Sequence, residues 1–100
     1  MPLSSTESKT YRIYALIDTI TGVVHYVGQT AGTLGHRRMD HVRKRGDTRK
    51  GEWIRSLLEV GLEPEIDLLE EFVGYRSRAY QRETYWIRRL RSEGHPLLNV

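Results

Sequence analysis

The sequence contains no cysteine among its 100 residues. Disulfide bonds and thiolate metal sites are therefore excluded, and a reducing compartment is expected. The sequence also has no apolar run long enough to cross a membrane, and its N-terminus lacks the charged-then-apolar layout of a signal peptide. These absences favour a protein of the cytoplasm or nucleoid that is neither secreted nor bound to a membrane.

Several familiar catalytic motifs are absent as well. There is no glycine-rich phosphate loop ending in lysine, no nucleophile elbow and no His-Glu-x-x-His segment. The four histidines do not stand at spacings typical of zinc ligands. Any active site in this chain is therefore of a different kind.

The sequence does contain a modest excess of basic residues. Lysine and arginine number 16 against 13 aspartates and glutamates, and the isoelectric point is near 9.4. This balance suits a partner that carries phosphate, without requiring one. The length fits a single domain, which we expect over residues 11–100 after a mobile polar leader of residues 1–10.

A β-hairpin is predicted from Tyr11 to Thr30. Both arms are rich in β-branched and aromatic residues, and a polar stretch ending in Gly22 separates them. With a symmetric turn, Tyr14 lies directly opposite Tyr26, and the two phenols share one face of the sheet. Such a pair could form the floor of an active site, or it could simply pack the sheet.

Three helices and one further strand are predicted downstream. Apolar spacing indicates helices over Leu34–Arg45, Glu52–Val60 and Ser77–Glu93, each followed by a glycine suited to a C-cap. A partly amphipathic alternation indicates a strand over Glu65–Phe72. Together with the hairpin, these elements predict a small α/β protein of the α+β type.

Glu83 interrupts the apolar stripe of the last helix. That stripe consists of Ala79, Tyr80, Trp86, Ile87 and Leu90. A carboxylate in this position needs a cation, because an unpaired buried charge is costly. One interpretation is a structural salt bridge to Arg37 or Arg38, and the other is a lone carboxylate that holds a hard divalent ion such as Mg²⁺.

Arg37 and His41 lie one turn apart on the first helix. The planar fork of Arg37 suits a phosphate, although a solvated helix arginine fits the same position. His41 could transfer a proton near neutral pH, or it could be a packing group.

A basic stretch could follow a nucleic-acid backbone without sequence preference, or it could form a solvated face. The candidates for nucleic-acid contacts are Arg38, Arg43, Lys44, Arg45, Arg49, Lys50 and Asn99. Asn99 could also serve only to tie down the terminus.

Five short segments resemble, in order, the motifs of the GIY-YIG endonuclease family. They are Arg12-Ile13-Tyr14, Tyr26-Val27-Gly28, Leu34-x-x-Arg37-x-x-x-His41, Arg82-Glu83-x-x-Trp86-Ile87 and Leu97-Leu98-Asn99. Each motif is weak alone, but their order is fairly specific, and the resemblance spans about residues 11–99.

The resemblance implies a three-stranded antiparallel sheet flanked by helices. It also implies cleavage of nucleic acid, with DNA as the expected substrate, using one divalent ion (Mg²⁺ or Mn²⁺). Carried over by position, Glu83 binds the metal and Arg37 neutralises the phosphorane. Tyr14 is the leading candidate to activate water, supported by Tyr26 and His41. A tyrosine has a reference pKa near 10, so this role requires a nearby cation. Whether Tyr14 or His41 takes the proton is left open.

The sequence departs from the family pattern at three places. Arg12 replaces the opening glycine of the first triplet, which a strand tolerates if the side chain points outward, and Val27 replaces isoleucine in the second. Some relatives carry a further His or Lys in the loop before the second helix. Here that region offers Thr48, Arg49 and Lys50, and an auxiliary catalytic role for them is disfavoured. The alternatives to a nuclease are a non-cleaving nucleic-acid-binding domain of the same fold and a protein-interaction domain.

Overall fold

The computed structural model describes residues 8–99, and within them the chain forms one sheet and three helices. The elements are β1 (Lys9–Ile17), β2 (Val24–Thr30), α1 (Leu34–Arg43), α2 (Arg49–Glu59), β3 (Glu65–Gly74) and α3 (Arg76–Ser92). The predicted leader lies outside the described residues up to position 7, and Lys9 and Thr10 already belong to β1. In residues 8–99, no helix combines the length and apolar character that a membrane crossing requires.

The three strands are antiparallel, in the order β2-β1-β3. The central strand β1 pairs along its whole length with β3, from Lys9 opposite Gly74 to Ile17 opposite Glu65. The predicted α+β class, with a small antiparallel sheet flanked by helices, is therefore confirmed.

The register of the hairpin differs from the prediction. Tyr14 faces Gly28 and Leu16 faces Tyr26, so the expected direct pairing of Tyr14 with Tyr26 is wrong. The turn is not symmetric, because β2 begins only at Val24 and the ladder is irregular after Leu16. Since the displacement is two residues and strand side chains alternate, both phenols still lie on one face, as diagonal neighbours.

Asp18 fixes the asymmetric turn. Its Oδ1 accepts backbone N–H groups of Ile20 at 2.8 Å and Thr21 at 3.1 Å, and its Oδ2 accepts the indole N–H of Trp53 at 2.9 Å. Gly22 supplies the positive φ, 74°, that the turn requires. The carboxylate thus joins the hairpin to α2.

The helix boundaries shift by one to three residues from those predicted. α1 ends at Arg43, and Lys44 is its C-cap, so Gly46 does not cap it. α2 begins at Arg49, because the Thr48 side chain caps it by accepting the Gly51 N–H at 3.0 Å. α3 begins at Arg76, after Tyr75, so the predicted N-cap at Ser77 is wrong.

Helices cover both faces of the sheet. On one face, Trp86, Ile87 and Leu90 of α3 pack on Ile13, Ala15 and Val27. On the other, Leu34 of α1 and Trp53, Ile54 and Leu57 of α2 pack on Tyr14, Leu16 and Tyr26. The phenols therefore face α1 and α2, whereas Glu83 belongs to the helix on the opposite face.

Candidate active site

The hairpin supplies Tyr14, Tyr26 and Gly28. Tyr14 is fully buried, and its ring lies across Gly28 on the neighbouring strand. A Cβ at position 28 would stand 2.3 Å from the Tyr14 Oη and 2.5 Å from its Cζ. Glycine is needed at position 28 because the Tyr14 phenol occupies the space that a side chain would fill. The requirement is steric and not conformational, since the φ of Gly28 is not positive.

Helix α1 brings two side chains to the Tyr14 hydroxyl. Arg37 donates its Nε–H to Tyr14 Oη at 3.1 Å, and His41 Nε2 lies 2.7 Å from the same oxygen. Thr33 caps the helix by accepting the His36 N–H at 3.2 Å, which sets where α1 begins. Because Arg37 and His41 lie one helical turn apart, as expected, both side chains reach the Tyr14 hydroxyl.

Lys50, near the start of α2, contacts the other nitrogen of His41. Its Nζ lies 3.1 Å from Nδ1 of His41 and 4.8 Å from the centre of the Tyr26 ring. A lysine ammonium can only donate, so Nδ1 accepts and the proton of a neutral His41 resides on Nε2. His41 then donates to Tyr14, whose oxygen receives hydrogen bonds from both His41 and Arg37.

Gly51 sets the position of Lys50. A Cβ at residue 51 would meet the backbone oxygens of Arg45 at 2.3 Å and Gly46 at 2.5 Å. The start of α2 therefore packs directly on the loop that follows α1, and this contact holds Lys50 against His41.

Burial and charge shift the pKa values of the aromatic groups in opposite directions. Burial raises the pKa of Tyr14 to about 12, although the adjacent Arg37 guanidinium opposes the shift. Burial, aided by the positive charges of Lys50 and Arg37, lowers the pKa of His41 to about 4. At neutral pH both groups are uncharged, and His41 is a very weak base.

Glu83 reaches the same site from α3. It is partly buried, and burial raises its pKa, against a hydrogen bond from the Gln29 side chain. The interpretation of Glu83 as a structural salt bridge fails, because Arg38 pairs with Glu63 at 3.0 Å and Arg37 lies 3.9 Å from Asp40. Within residues 8–99, Glu83 forms no ion pair.

Two adjoining clefts meet at Glu83 and Tyr26. The first, of about 340 Å³, is lined by Tyr14, Tyr26, Arg37 and Glu83 among others. The second, of about 520 Å³, is lined by Tyr26, Thr48, Arg49, Lys50, Glu83, Leu98 and Asn99. Four of the five predicted catalytic residues thus share one cleft, and His41 is buried behind the Tyr14 hydroxyl.

The predicted nucleic-acid contacts are not brought together as a set. Arg49 and Lys50 line the second cleft, whereas Arg38 pairs with Glu63 beside a separate depression. Arg45 donates to the Val42 carbonyl. Arg43 and Lys44 are exposed at the end of α1 and line neither the first nor the second cleft, although Arg43 lines the same depression as Arg38.

Asn99 lines the second cleft, but its amide is already engaged. Its oxygen accepts the Val27 N–H at 2.9 Å, and its nitrogen donates to the Val27 carbonyl at 2.7 Å. Because β2 is an edge strand, the Asn99 amide makes the two hydrogen bonds to Val27 that a neighbouring strand would otherwise make. This favours the alternative in which it ties the terminus down.

Arg12 has a local partner that explains why arginine is accepted there. Its Nε donates to Glu71 at 2.8 Å, directly across the β1–β3 ladder, and its Nη1 donates to the Gly32 carbonyl at 2.9 Å. Arg12 thereby braces the connection that leads into α1.

Sequence reasoning missed several residues of the site. The sequence places Lys50 in a basic stretch and disfavours an auxiliary role for residues 48–50, yet Lys50 Nζ lies 3.1 Å from His41 Nδ1. This contact could not be foreseen, because it depends on where α2 begins. Gln29, and Lys9, Arg76 and Tyr80 on the rim of the first cleft, were also missed. Tyr80 carried a signal, since it stands three residues before Glu83 on the same helix.

A divalent ion fits Glu83. The carboxylate is partly buried, lines two clefts and has no cation partner among the described residues. Its oxygens are ligands that hard ions prefer. In residues 8–99 there is no group of three or more His, Cys, Asp or Glu that could hold an ion together. A cation at Glu83 would therefore keep most of its water, as Mg²⁺ does.

The described residues form a three-stranded α+β domain in which a phenol, a guanidinium and a carboxylate line one cleft. The family model of the GIY-YIG catalytic domain matches residues 10–95, and the chain belongs to that family. Members are in general endonucleases that use a divalent metal ion. No curated protein and no solved structure is significantly similar to the chain.

Proposed function

We propose that this protein is a metal-dependent endonuclease that hydrolyses phosphodiester bonds in DNA. The proposal depends on one observation. The Tyr14 hydroxyl oxygen accepts hydrogen bonds from Arg37 and His41, and it lines the same cleft as Glu83, a carboxylate with no cation partner among the described residues. A structural network would pair that carboxylate with Arg37 or Arg38. The absence of cysteine supports a cytoplasmic or nucleoid setting.

Arg37 is the group that contacts the scissile phosphate. Its guanidinium is partly exposed, and its Nε is committed to Tyr14, so its remaining N–H groups can bind phosphate oxygens. Negative charge on those oxygens grows in the transition state. Arg37 therefore contributes mainly to turnover rather than to affinity.

Tyr14 is the group that takes the proton from the attacking water, with Tyr26 beside it in the cleft. A phenolate at this position would keep the hydrogen bonds from Arg37 and His41, and a third would come from water in the first cleft, which Tyr14 lines. His41 is poorly suited to be the base, because both ring nitrogens are occupied and its pKa is about 4. Its role is to hold the Tyr14 oxygen, and Lys50 fixes its tautomer.

Glu83 would hold Mg²⁺ or Mn²⁺, which when bound supplies Lewis-acid stabilisation of developing negative charge. Arg49 and Lys50, on the second cleft, add positive charge along which a nucleic-acid backbone can lie. Neither contact reads a base, so little sequence preference is expected from these residues.

The test is nicking of supercoiled plasmid in Mg²⁺ or Mn²⁺, with and without chelator. Glu83→Gln removes the charge at constant size and should abolish nicking, whereas Glu59→Gln, an exposed glutamate of α2, should leave it unchanged. If wild type binds DNA but cuts neither linear nor branched DNA in any metal, the non-cleaving binding domain is the correct alternative.

The pH dependence of the cleavage rate distinguishes Tyr14 from His41 as the base. A base with a pKa of about 12 gives a rate that rises about tenfold per pH unit between pH 6 and 9. A base with a pKa of about 4 gives a flat rate over the same range. We expect the rising profile, and a flat one would assign the proton to His41.

A further inference from the structure

The rim of the first cleft contains an exposed aromatic residue that the proposed chemistry does not use. Tyr80 lies one turn before Glu83 on α3, lines the same cleft as Tyr14 and Arg37, and is 58% exposed. A side chain of this size gains little from such a position in the free protein, since most of its apolar surface remains in water. Its ring face is available to a ligand that occupies the cleft.

Two cations flank that ring. Lys9 at the start of β1 and Arg76 at the start of α3 line the cleft with Tyr80, and both are exposed. Within residues 8–99, neither forms an ion pair, whereas Arg12, on the same sheet, pairs with Glu71 at 2.8 Å. Among the described residues, no carboxylate pairs with either cation, so their positive charge is available to a ligand in the cleft.

Tyr85, on the same helix, differs from Tyr80 because a side chain of the protein itself covers its ring. It is 43% exposed, and the Arg82 guanidinium covers its ring at 4.3 Å from the centre. It lines a separate depression on the outer side of α3. No described cation lies over the ring of Tyr80.

An aromatic face beside uncompensated cations matches one nucleotide, with its base on the ring and its phosphate on the cations. In a duplex, each base is covered above and below by its neighbours. A ring at the rim can therefore stack only on a base that has left the helix or was never paired.

We infer that Tyr80, Lys9 and Arg76 form a subsite for one unpaired nucleotide next to the scissile phosphate. This inference deepens the proposed function and rests on it for the position of the phosphate. It predicts a preference for single strands and for unpaired segments of branched or flapped nucleic acid over continuous duplex.

The test measures binding without cleavage, by fluorescence anisotropy in chelator, with a labelled single strand and a duplex of the same sequence. Tyr80→Ala should weaken single-strand binding by roughly 5- to 150-fold, the range for loss of one stacked base. Duplex affinity should change less than about 2-fold, because a paired base is not available for stacking. Tyr80→Phe, which retains the ring, and the matched control Tyr85→Ala should keep both affinities.

Salt dependence separates the stacking residue from the cations. Lys9→Gln and Arg76→Gln should each reduce the slope of log affinity against log salt by about 0.7 on the single strand. Tyr80→Ala should leave that slope unchanged. The subsite is refuted if Tyr80→Ala weakens single strand and duplex equally, or affects neither.

The two proposals fail separately. If Tyr80→Ala selectively loses single-strand affinity while wild type cuts nothing in Mg²⁺ or Mn²⁺, the subsite stands without the nuclease. If wild type cuts but Tyr80→Ala has no selective effect, only the subsite is wrong. Thermal melting of each variant within a few degrees of wild type confirms that the fold is intact.

Discussion

Gly28 is the position where one added methyl group should displace the proposed base. In Gly28→Ala, the new Cβ would lie 2.3 Å from Tyr14 Oη and 2.5 Å from its Cζ. Carbon atoms in contact prefer about 3.5–4.0 Å, so the ring must move by roughly 1 Å. Tyr14 is fully buried and bonded to Arg37 and His41, so this movement also disturbs both hydrogen bonds.

Two effects oppose each other in the stability of Gly28→Ala. Overpacking in a buried site costs about 1–3 kcal/mol. Replacing a strand glycine by alanine stabilises the protein by about 0.5–1 kcal/mol, because the unfolded chain then has less conformational entropy to lose. The net expectation is a loss of about 1–2 kcal/mol in the free energy of unfolding, measured with urea. The nicking rate should fall about 100-fold, the usual effect of a 1 Å misplacement at a reacting group.

A second background isolates the cause. In Tyr14→Ala the obstructing ring is gone, so adding Gly28→Ala should no longer destabilise the protein. The matched control is Gly35→Ala in α1, where a Cβ meets nothing within 4 Å; it should raise stability by up to about 1 kcal/mol. If Gly28→Ala retains wild-type stability and nicking rate, the Tyr14 ring does not lie against Gly28.

Three further predictions concern other parts of the site. The unfolded chain protonates His41 below about pH 6.5 but the folded chain only near pH 4, so protonation favours unfolding in this window. Wild type should lose about 3 kcal/mol of unfolding free energy from pH 6.5 to 4 that His41→Asn does not lose, as measured by urea titration at each pH. Arg37→Ala should lower the single-turnover cleavage rate about 100-fold or more and DNA affinity only a few-fold, because its contact strengthens in the transition state. Asn99→Ala removes two hydrogen bonds to the Val27 backbone and should cost about 1–2 kcal/mol of stability, with nucleic-acid affinity unchanged.

Each of these predictions has a contrary result. Equal pH slopes for wild type and His41→Asn would mean that the imidazole is not held neutral. A loss confined to binding would make Arg37 an ordinary backbone contact. Weaker DNA binding with unchanged stability in Asn99→Ala would restore Asn99 as a nucleic-acid ligand.

The sequence predicted the elements of the fold well because their signals are local. Strand composition marked β1 and β2, and apolar spacing marked the helices. Gly61 and Gly94, just beyond α2 and α3, have φ values of 77° and 93°, as expected after helices. The side-chain cap at Thr48 was also local, but it was missed.

The register of the hairpin could not be predicted because tertiary contacts decide it. Asp18 joins the turn to Trp53, a residue 35 positions along the chain, and this bond is invisible to strand patterning. The same limit applies to Glu83. Its place in an apolar stripe fits a salt bridge as well as a metal ligand, and only the observed partners of Arg37 and Arg38 exclude the salt bridge.

The site itself was predicted mainly through resemblance to a family, and its supporting residues were missed. Lys50 reaches His41 only because α2 begins early and packs tightly at Gly51. Tyr80 lines the first cleft because α3, which covers one face of the sheet, also contacts the edge strand β2. Both depend on how elements pack, which spacing along one helix does not reveal.

The most direct test of the central claim is the single-turnover rate of plasmid nicking for Tyr14→Phe, Glu83→Gln and the double variant, in Mg²⁺. If the phenol and the carboxylate serve one reaction, each single variant should be slower by at least about 100-fold, and the double variant hardly slower than the worse single one. Single variants that nick within about twofold of wild type would contradict the account, because general base and metal contributions are normally far larger.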